Sequence, residues 1–104
     1  ISNCNVSTTD ASQPGIYIGS NSTYANVSNN YIFTNNSGTK YFIYGISLAQ
    51  SSNYASIFNN TLEHFGGGWD CHAIDLSETD LSSISYNSIF ECFSDSNFIN
   101  LVCY

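Results

Sequence analysis

The residues able to do chemistry crowd into one stretch, His64-Phe65-Gly66-Gly67-Gly68-Trp69-Asp70-Cys71-His72-Ala73-Ile74-Asp75. It holds the only Trp, both His, a triple Gly and two Asp. Hydrolysis of a glycosidic bond needs two opposed carboxyl groups at a set separation, and Asp75 with Asp70 or Glu78 would be the candidates. Alternation along Ala73-Ile74-Asp75-Leu76 buries Ile74 and Leu76 and turns Asp75 outward. The same register sets Tyr17, Ser47, Asp75 and Asn100 in one exposed row. Aromatic rings beside carboxylate, hydroxyl and amide groups suit a sugar, which needs ring stacking and hydrogen bonds to its hydroxyls. Trp69 would add a stacking platform. Metal chemistry has less to stand on. His64, His72, Cys71 and Asp70 match no known zinc spacing. Asp75, Glu78 and Asp80 offer oxygen ligands for a weakly held Ca²⁺ at most, so no cofactor is expected.

The elements that must position these residues are announced by repetition. Val27-Ser28-Asn29-Asn30-Tyr31-Ile32 is echoed by Ile57-Phe58-Asn59-Asn60-Thr61-Leu62 and by Ile84-Ser85-Tyr86-Asn87-Ser88-Ile89. A weaker copy opens the chain, Ile1-Ser2-Asn3-Cys4-Asn5-Val6, with Cys4 in place of Asn. A second phrase alternates with the first: Gly15-Ile16-Tyr17-Ile18, Gly45-Ile46-Ser47-Leu48, Ala73-Ile74-Asp75-Leu76 and Phe98-Ile99-Asn100-Leu101. A period of about 20 to 50 residues marks a solenoid, propeller or array. Apolar residues at alternate positions give strands with one buried face. The Ile-x-x-Asn-x-Ile run breaks that alternation at Asn, a residue that tolerates a left-handed backbone. Two short strands meeting at an Asn corner, with the Gly-Ile phrase as a third, make one repeat. Scarce Lys and Glu and abundant Asn, Ser, Thr and Tyr argue against helices.

On these phrases the chain resembles the right-handed parallel β-helix repeat family, the fold of pectate lyases, many phage tailspikes and numerous surface adhesins. The resemblance covers nearly the whole chain. It implies an all-β, right-handed parallel β-helix of about four coils (1–24, 25–53, 54–80 and 81–104), each with three short strands, as one domain over 1–104. It also implies a ladder of corner asparagines, Asn30, Asn60 and Asn87, with Cys4 at the degraded end. The expected inner stacks are Ile1/Val27/Ile57/Ile84, Val6/Ile32/Leu62/Ile89, Ile16/Ile46/Ile74/Ile99 and Ile18/Leu48/Leu76/Leu101. The stretches from Asn35 to Tyr44 and from His64 to His72 then correspond to the loops that line the groove in β-helix enzymes. The catalytic furniture of those enzymes is missing. Pectate lyase chemistry uses a basic side chain to take a proton and Arg or Lys to hold the uronate; this chain has no Arg and only Lys40. The Asp pairs and the His and Arg-x-Lys motifs of polygalacturonases have no counterparts either. What is missing weighs against an enzyme more than Asp70 and Asp75 weigh for one.

Composition narrows the partners. One basic residue stands against eight acidic ones, for a formal net charge of -7, yet only 9% of residues are charged. Phosphate neutralisation needs Lys and Arg, so nucleic acid is not expected as a partner. No apolar run approaches the length of a membrane span, and no signal-peptide pattern is present. The chain begins at Ile1 and contains no Met, which suits a mature chain cut from a secreted precursor or a part of a longer polypeptide.

Four cysteines, Cys4, Cys71, Cys92 and Cys103, allow three pairings. In the coil register Cys92 lies one rung beyond Phe65, whose loop leads to Cys71, so Cys71–Cys92 is the least strained disulfide. Cys4 and Cys103 fall on opposite end coils, roughly 14 Å apart along the axis, too far for one another. Free, buried thiols are the other state open to all four. Disulfides would place the chain outside the cytosol. Sequons begin at Asn5, Asn21, Asn26, Asn35 and Asn59; Asn21 and Asn35, in loops, are the most credible glycosylation sites.

The leading expectation is therefore structural: an extracellular or cell-surface β-solenoid module of a fibre, appendage or adhesin. A solenoid's open ends offer unpaired strand edges, and the sequence shows no polar capping element of the kind solenoids use. Head-to-tail contact between copies would give filaments. The alternative is a domain that binds or cleaves a neutral glycan, including the phage tail-fibre type, with the Tyr17/Ser47/Asp75/Asn100 row as its contact face.

Overall fold

The computed structural model describes residues 1–8, 14–34, 40–63, 68–76, 79–90 and 99–103. Among them there is no helix, and none therefore that is long and apolar enough to cross a membrane. The strands are β1 (Asn5–Thr8), β2 (Ile16–Ile18), β3 (Asn26–Ser28), β4 (Tyr31–Thr34), β5 (Lys40–Leu48), β6 (Ser56–Phe58), β7 (Thr61–Glu63), β8 (Gly68–Leu76), β9 (Ser83–Ser85), β10 (Ser88–Phe90) and β11 (Ile99–Cys103). They form three sheets ordered β1-β4-β7-β10, β11-β8-β5-β2 and β3-β6-β9. Every pairing is parallel. Each repeat thus adds one strand to each sheet; the first adds only a bridge, Ser2 to Ser28, to the third. The molecule measures 34 × 26 × 20 Å.

The short strands follow from their middle residues. In each x-Ile-x triplet the branched apolar side chain points inward and its neighbours point out; in the three-residue strands of this form those neighbours are polar apart from Phe58 and Phe90. Val6, Ile32, Leu62 and Ile89 pair rung to rung, as do Val27, Ile57 and Ile84. Ile16 lies beside Ile46 and Ile46 beside Ile74. Full burial of each such side chain contributes about 1.5–3 kcal/mol. The glycine of the second phrase has a steric cause: a Cβ on Gly15 would sit 2.6 Å from Ile32 Cγ2 and 3.0 Å from the Gly45 carbonyl oxygen.

Three sequence expectations need correction. First, the bend is not made by the ladder asparagine. Positive φ falls one residue earlier, at Asn3, Asn29, Asn59 and Tyr86. Asn30, Asn60 and Asn87, which follow the last three, keep an ordinary backbone and turn their side chains inward. Second, much of the two stretches read as loops is strand, because β5 and β8 each run for nine residues. Tyr41-Phe42-Ile43-Tyr44 carries high β-propensity, and β8, opening with Gly68, Trp69 and Asp70, is paired along it from Lys40↔Gly68 to Ser47↔Asp75. Pairing prevails over local preference there. Third, β11 is displaced. Ile99 faces Cys71, Leu101 faces Ile74 and Cys103 faces Leu76, with an irregularity between Ile99 and Leu101. From Leu101 on the displacement is two residues, the shift that conserves alternation, so the sequence pattern admits either register there; at Ile99 it is three.

Candidate functional site

Strand β8 carries Trp69, Asp70, Cys71, His72 and Asp75, and its extended geometry spreads them along its length. Asp70 and Asp75 are five residues apart, which at about 3.3 Å per residue is roughly 16 Å of strand. Glycosidase carboxyl pairs stand about 5 to 9.5 Å apart, so this strand does not bring the two together. Trp69 is one residue farther from Asp75, so platform and carboxylate lie toward opposite ends of β8. Glu78, His64, Cys92 and Asn35 fall outside the described residues. No three His, Cys, Asp or Glu side chains among the described residues gather to hold a metal ion. Asp80, exposed in the turn after β8, donates its backbone N–H to Asn53 Oδ1 at 2.8 Å.

The proposed sugar row is in register for three of its members, Tyr17, Ser47 and Asp75, but it does not stay open. Tyr17 is 60% exposed, Ser47 half-buried and Asp75 only 9% exposed. The Ser47 hydroxyl donates to Asp75 Oδ2 at 3.5 Å. Asp75 turns away from the apolar core, as alternation requires, yet it is covered rather than displayed. The fourth member drops out with the β11 register: Val102, not Asn100, faces Asp75. Three residues earlier on the same two strands, Tyr44 and His72 pair across β5 and β8 with their rings edge to face at 5.2 Å.

Exposed aromatic surface gathers instead around β3-β6-β9. The rings of Tyr24 and Tyr54 stack at 5.0 Å and 14° along one margin of that sheet, with exposed Leu81 near by in the next repeat. On the other side Phe58 meets Tyr86 edge to face at 5.6 Å. Between them the outward positions are Asn26, Ser28, Ser56, Ser83 and Ser85, a floor of uncharged hydrogen-bonding groups. The recurrence of Tyr-Ala at 24–25 and 54–55, each followed by a core triplet, was a signal available in the sequence.

The corner asparagines make the most developed polar network. Asn60, 1% exposed, accepts at Oδ1 from Asn30 N–H at 3.0 Å and Asn30 Nδ2 at 2.9 Å, and donates from Nδ2 to Val27 O at 2.9 Å. Asn87 repeats the arrangement toward Asn60 N–H, Asn60 Nδ2 and Ile57 O, each at 2.9 Å. Asn30 accepts from Cys4 N–H at 3.0 Å and donates to Ile1 O at 3.2 Å. Outside it, Asn59 Nδ2 donates to Asn29 Oδ1 at 2.8 Å. Cys4 itself is a free thiol and exposed, not buried. Cys71 and Cys103 lie on β8 and β11. Of the sequon asparagines, Asn21 is exposed in the turn after β2, Asn5 and Asn26 are exposed on strands, and Asn59 is engaged in the outer pair.

The ends of the stack differ from its middle. Val27, Ile32, Ile57 and Leu62 are fully buried, whereas Ile1 is 54% exposed at one end and Ile89 38% at the other. Compared with family models, curated proteins and solved structures, the chain matches none.

Proposed function

We propose that this chain is a structural module, a right-handed parallel β-helix of four three-stranded coils that continues end to end with copies of itself. The observation that carries this reading is the change in burial along the stacks: side chains sealed at the centre lie open in the outer rungs, where, among the described residues, the sheets end on parallel strands. Such a surface suits another rung of the same kind, because a parallel strand at the same spacing satisfies its edge groups and covers Ile89 or Ile1 at once. Among the described residues no helix caps either face. Exposed sequon asparagines at Asn5, Asn21 and Asn26 favour a secreted or cell-surface setting, in a fibre, appendage or adhesin. Sedimentation velocity over a concentration series, with electron micrographs of the same material, tests the reading. Mass should rise with concentration, and Ile89→Lys, which puts a charge on the terminal rung, should hold the chain monomeric. A single monomer boundary for the parent chain at every concentration would defeat the proposal.

A second reading, contact with a neutral glycan, is favoured by the aromatic margins of the β3-β6-β9 face. Tyr24 at 75% and Tyr86 at 81% exposure flank a floor without charged side chains, the combination that sugar rings and hydroxyls use. Electrophoresis through gels holding hydroxyethyl cellulose or laminarin should retard the parent chain. The Tyr24→Ala/Tyr86→Ala double variant should run free, and Tyr17→Ala should behave as the parent does. Equal mobility with and without polysaccharide removes this reading.

A further inference from the structure

The asparagine ladder has a direction, and Cys4 stands where that direction matters. At each complete step the later asparagine makes three bonds to the rung before it. Its Oδ1 accepts from the earlier corner N–H and the earlier Nδ2, and its own Nδ2 donates to the carbonyl three residues before that corner. Asn60 does this to Asn30 and Val27, and Asn87 to Asn60 and Ile57. Cys4 serves as the earlier member of a step: its N–H donates to Asn30 Oδ1. As the later member it has nothing to offer. A thiol supplies neither the carbonyl oxygen nor the amide protons, and its Sγ is turned to its own segment, 3.4 Å from Ser2 O.

At the opposite face the complementary groups wait. Asn87 N–H meets no acceptor among the described residues, and Asn87 Nδ2 has used one of its two protons, on Ile57 O. That face is built to receive a rung with an asparagine at its corner.

We propose that Cys4 is a stop in the ladder: the face that carries it takes an in-register neighbour without the three amide bonds that join the interior rungs, and so holds that neighbour weakly. The inference rests on the end-to-end reading for its partner, a second copy of this chain presenting Asn87. It applies equally to any rung laid against Cys4. The consequence is that stacking of copies is limited by this one side chain rather than by the strand edges or the apolar layers.

The test compares the parent chain, Cys4→Asn and Cys4→Ser by sedimentation velocity in the presence of a reducing agent. Cys4 is exposed, so all three should share one monomer unfolding curve. Cys4→Asn should associate about tenfold or more tightly than Cys4→Ser, the result of adding three hydrogen bonds of modest net worth. Cys4→Ser should track the parent, which separates the amide from any thiol chemistry. Adding Asn87→Ala to Cys4→Asn should cancel the gain. Cys4→Asn no tighter than Cys4→Ser overturns the stop. If the parent stays monomeric while Cys4→Asn assembles, the end-to-end reading fails for the natural chain and the stop stands. If all three stay monomeric, both fall.

Discussion

Asn60→Ala should lower the unfolding free energy by about 3–5 kcal/mol, enough to consume much of the stability of a domain this size. The side chain is 1% exposed and every polar atom it carries is used. Alanine would leave the Asn30 N–H without its Asn60 acceptor and the Val27 carbonyl without its Asn60 donor, both at buried bonds. Unmet buried groups of this kind cost about 1–3 kcal/mol each, and the loss would reach two junctions at once. Asn59→Ala is the control one residue away. Asn59 is exposed and makes one outer bond to Asn29, and its φ of 53° is one that alanine accepts with modest strain. Its cost should be about 1 kcal/mol. Urea unfolding followed by far-ultraviolet circular dichroism measures both. Equal losses for the two variants would mean that the ladder adds nothing beyond the corner's backbone geometry.

That contrast marks what the sequence could and could not announce. The repeat of Ile-x-x-Asn-x-Ile disclosed the strands, their parallel stacking and the identity of the ladder, because an inward-facing side chain imposes its periodicity on the residues around it. The division of labour at the corner was not legible. Asn29-Asn30 and Asn59-Asn60 are identical dipeptides, and only Tyr86-Asn87, where the first residue differs and the second does not, hints that the bend and the ladder belong to different positions. The length of β5 and β8 was obscured for another reason. Trp69, Asp70 and the glycines around them look like a loop until a partner strand is present, and the partner lies a full repeat away. From Leu101 on, the β11 register was ambiguous in principle, since a slip of two residues conserves the alternation. The sugar row failed for a related cause: alternation reports which way Asp75 points and says nothing of what lies over it. Exposure around β3-β6-β9 was the converse case, visible only after Tyr24 and Tyr54 were placed in adjacent rungs.

Position along the stack should decide the cost of an identical truncation. Leu62→Ala removes a fully buried side chain held between Ile32 and Ile89, and a cavity with rungs on both sides has little freedom to collapse. About 3–4 kcal/mol is expected, within the range for buried Leu→Ala changes. Ile89→Ala removes the next member of the same column, but Ile89 is 38% exposed. Less apolar area is lost from burial, and solvent can follow the retreating surface, so about 1 kcal/mol is expected in dilute solution. The difference between the two also reports on the ends. A neighbour covering Ile89 would convert it into an interior residue, and its truncation cost would then grow with protein concentration while that of Leu62→Ala would not. Denaturant midpoints for both variants, taken over a concentration series against the parent chain, read this out. An Ile89→Ala cost that stays constant as concentration rises would show that no second rung ever covers that face, and would remove the burial argument on which end-to-end stacking rests.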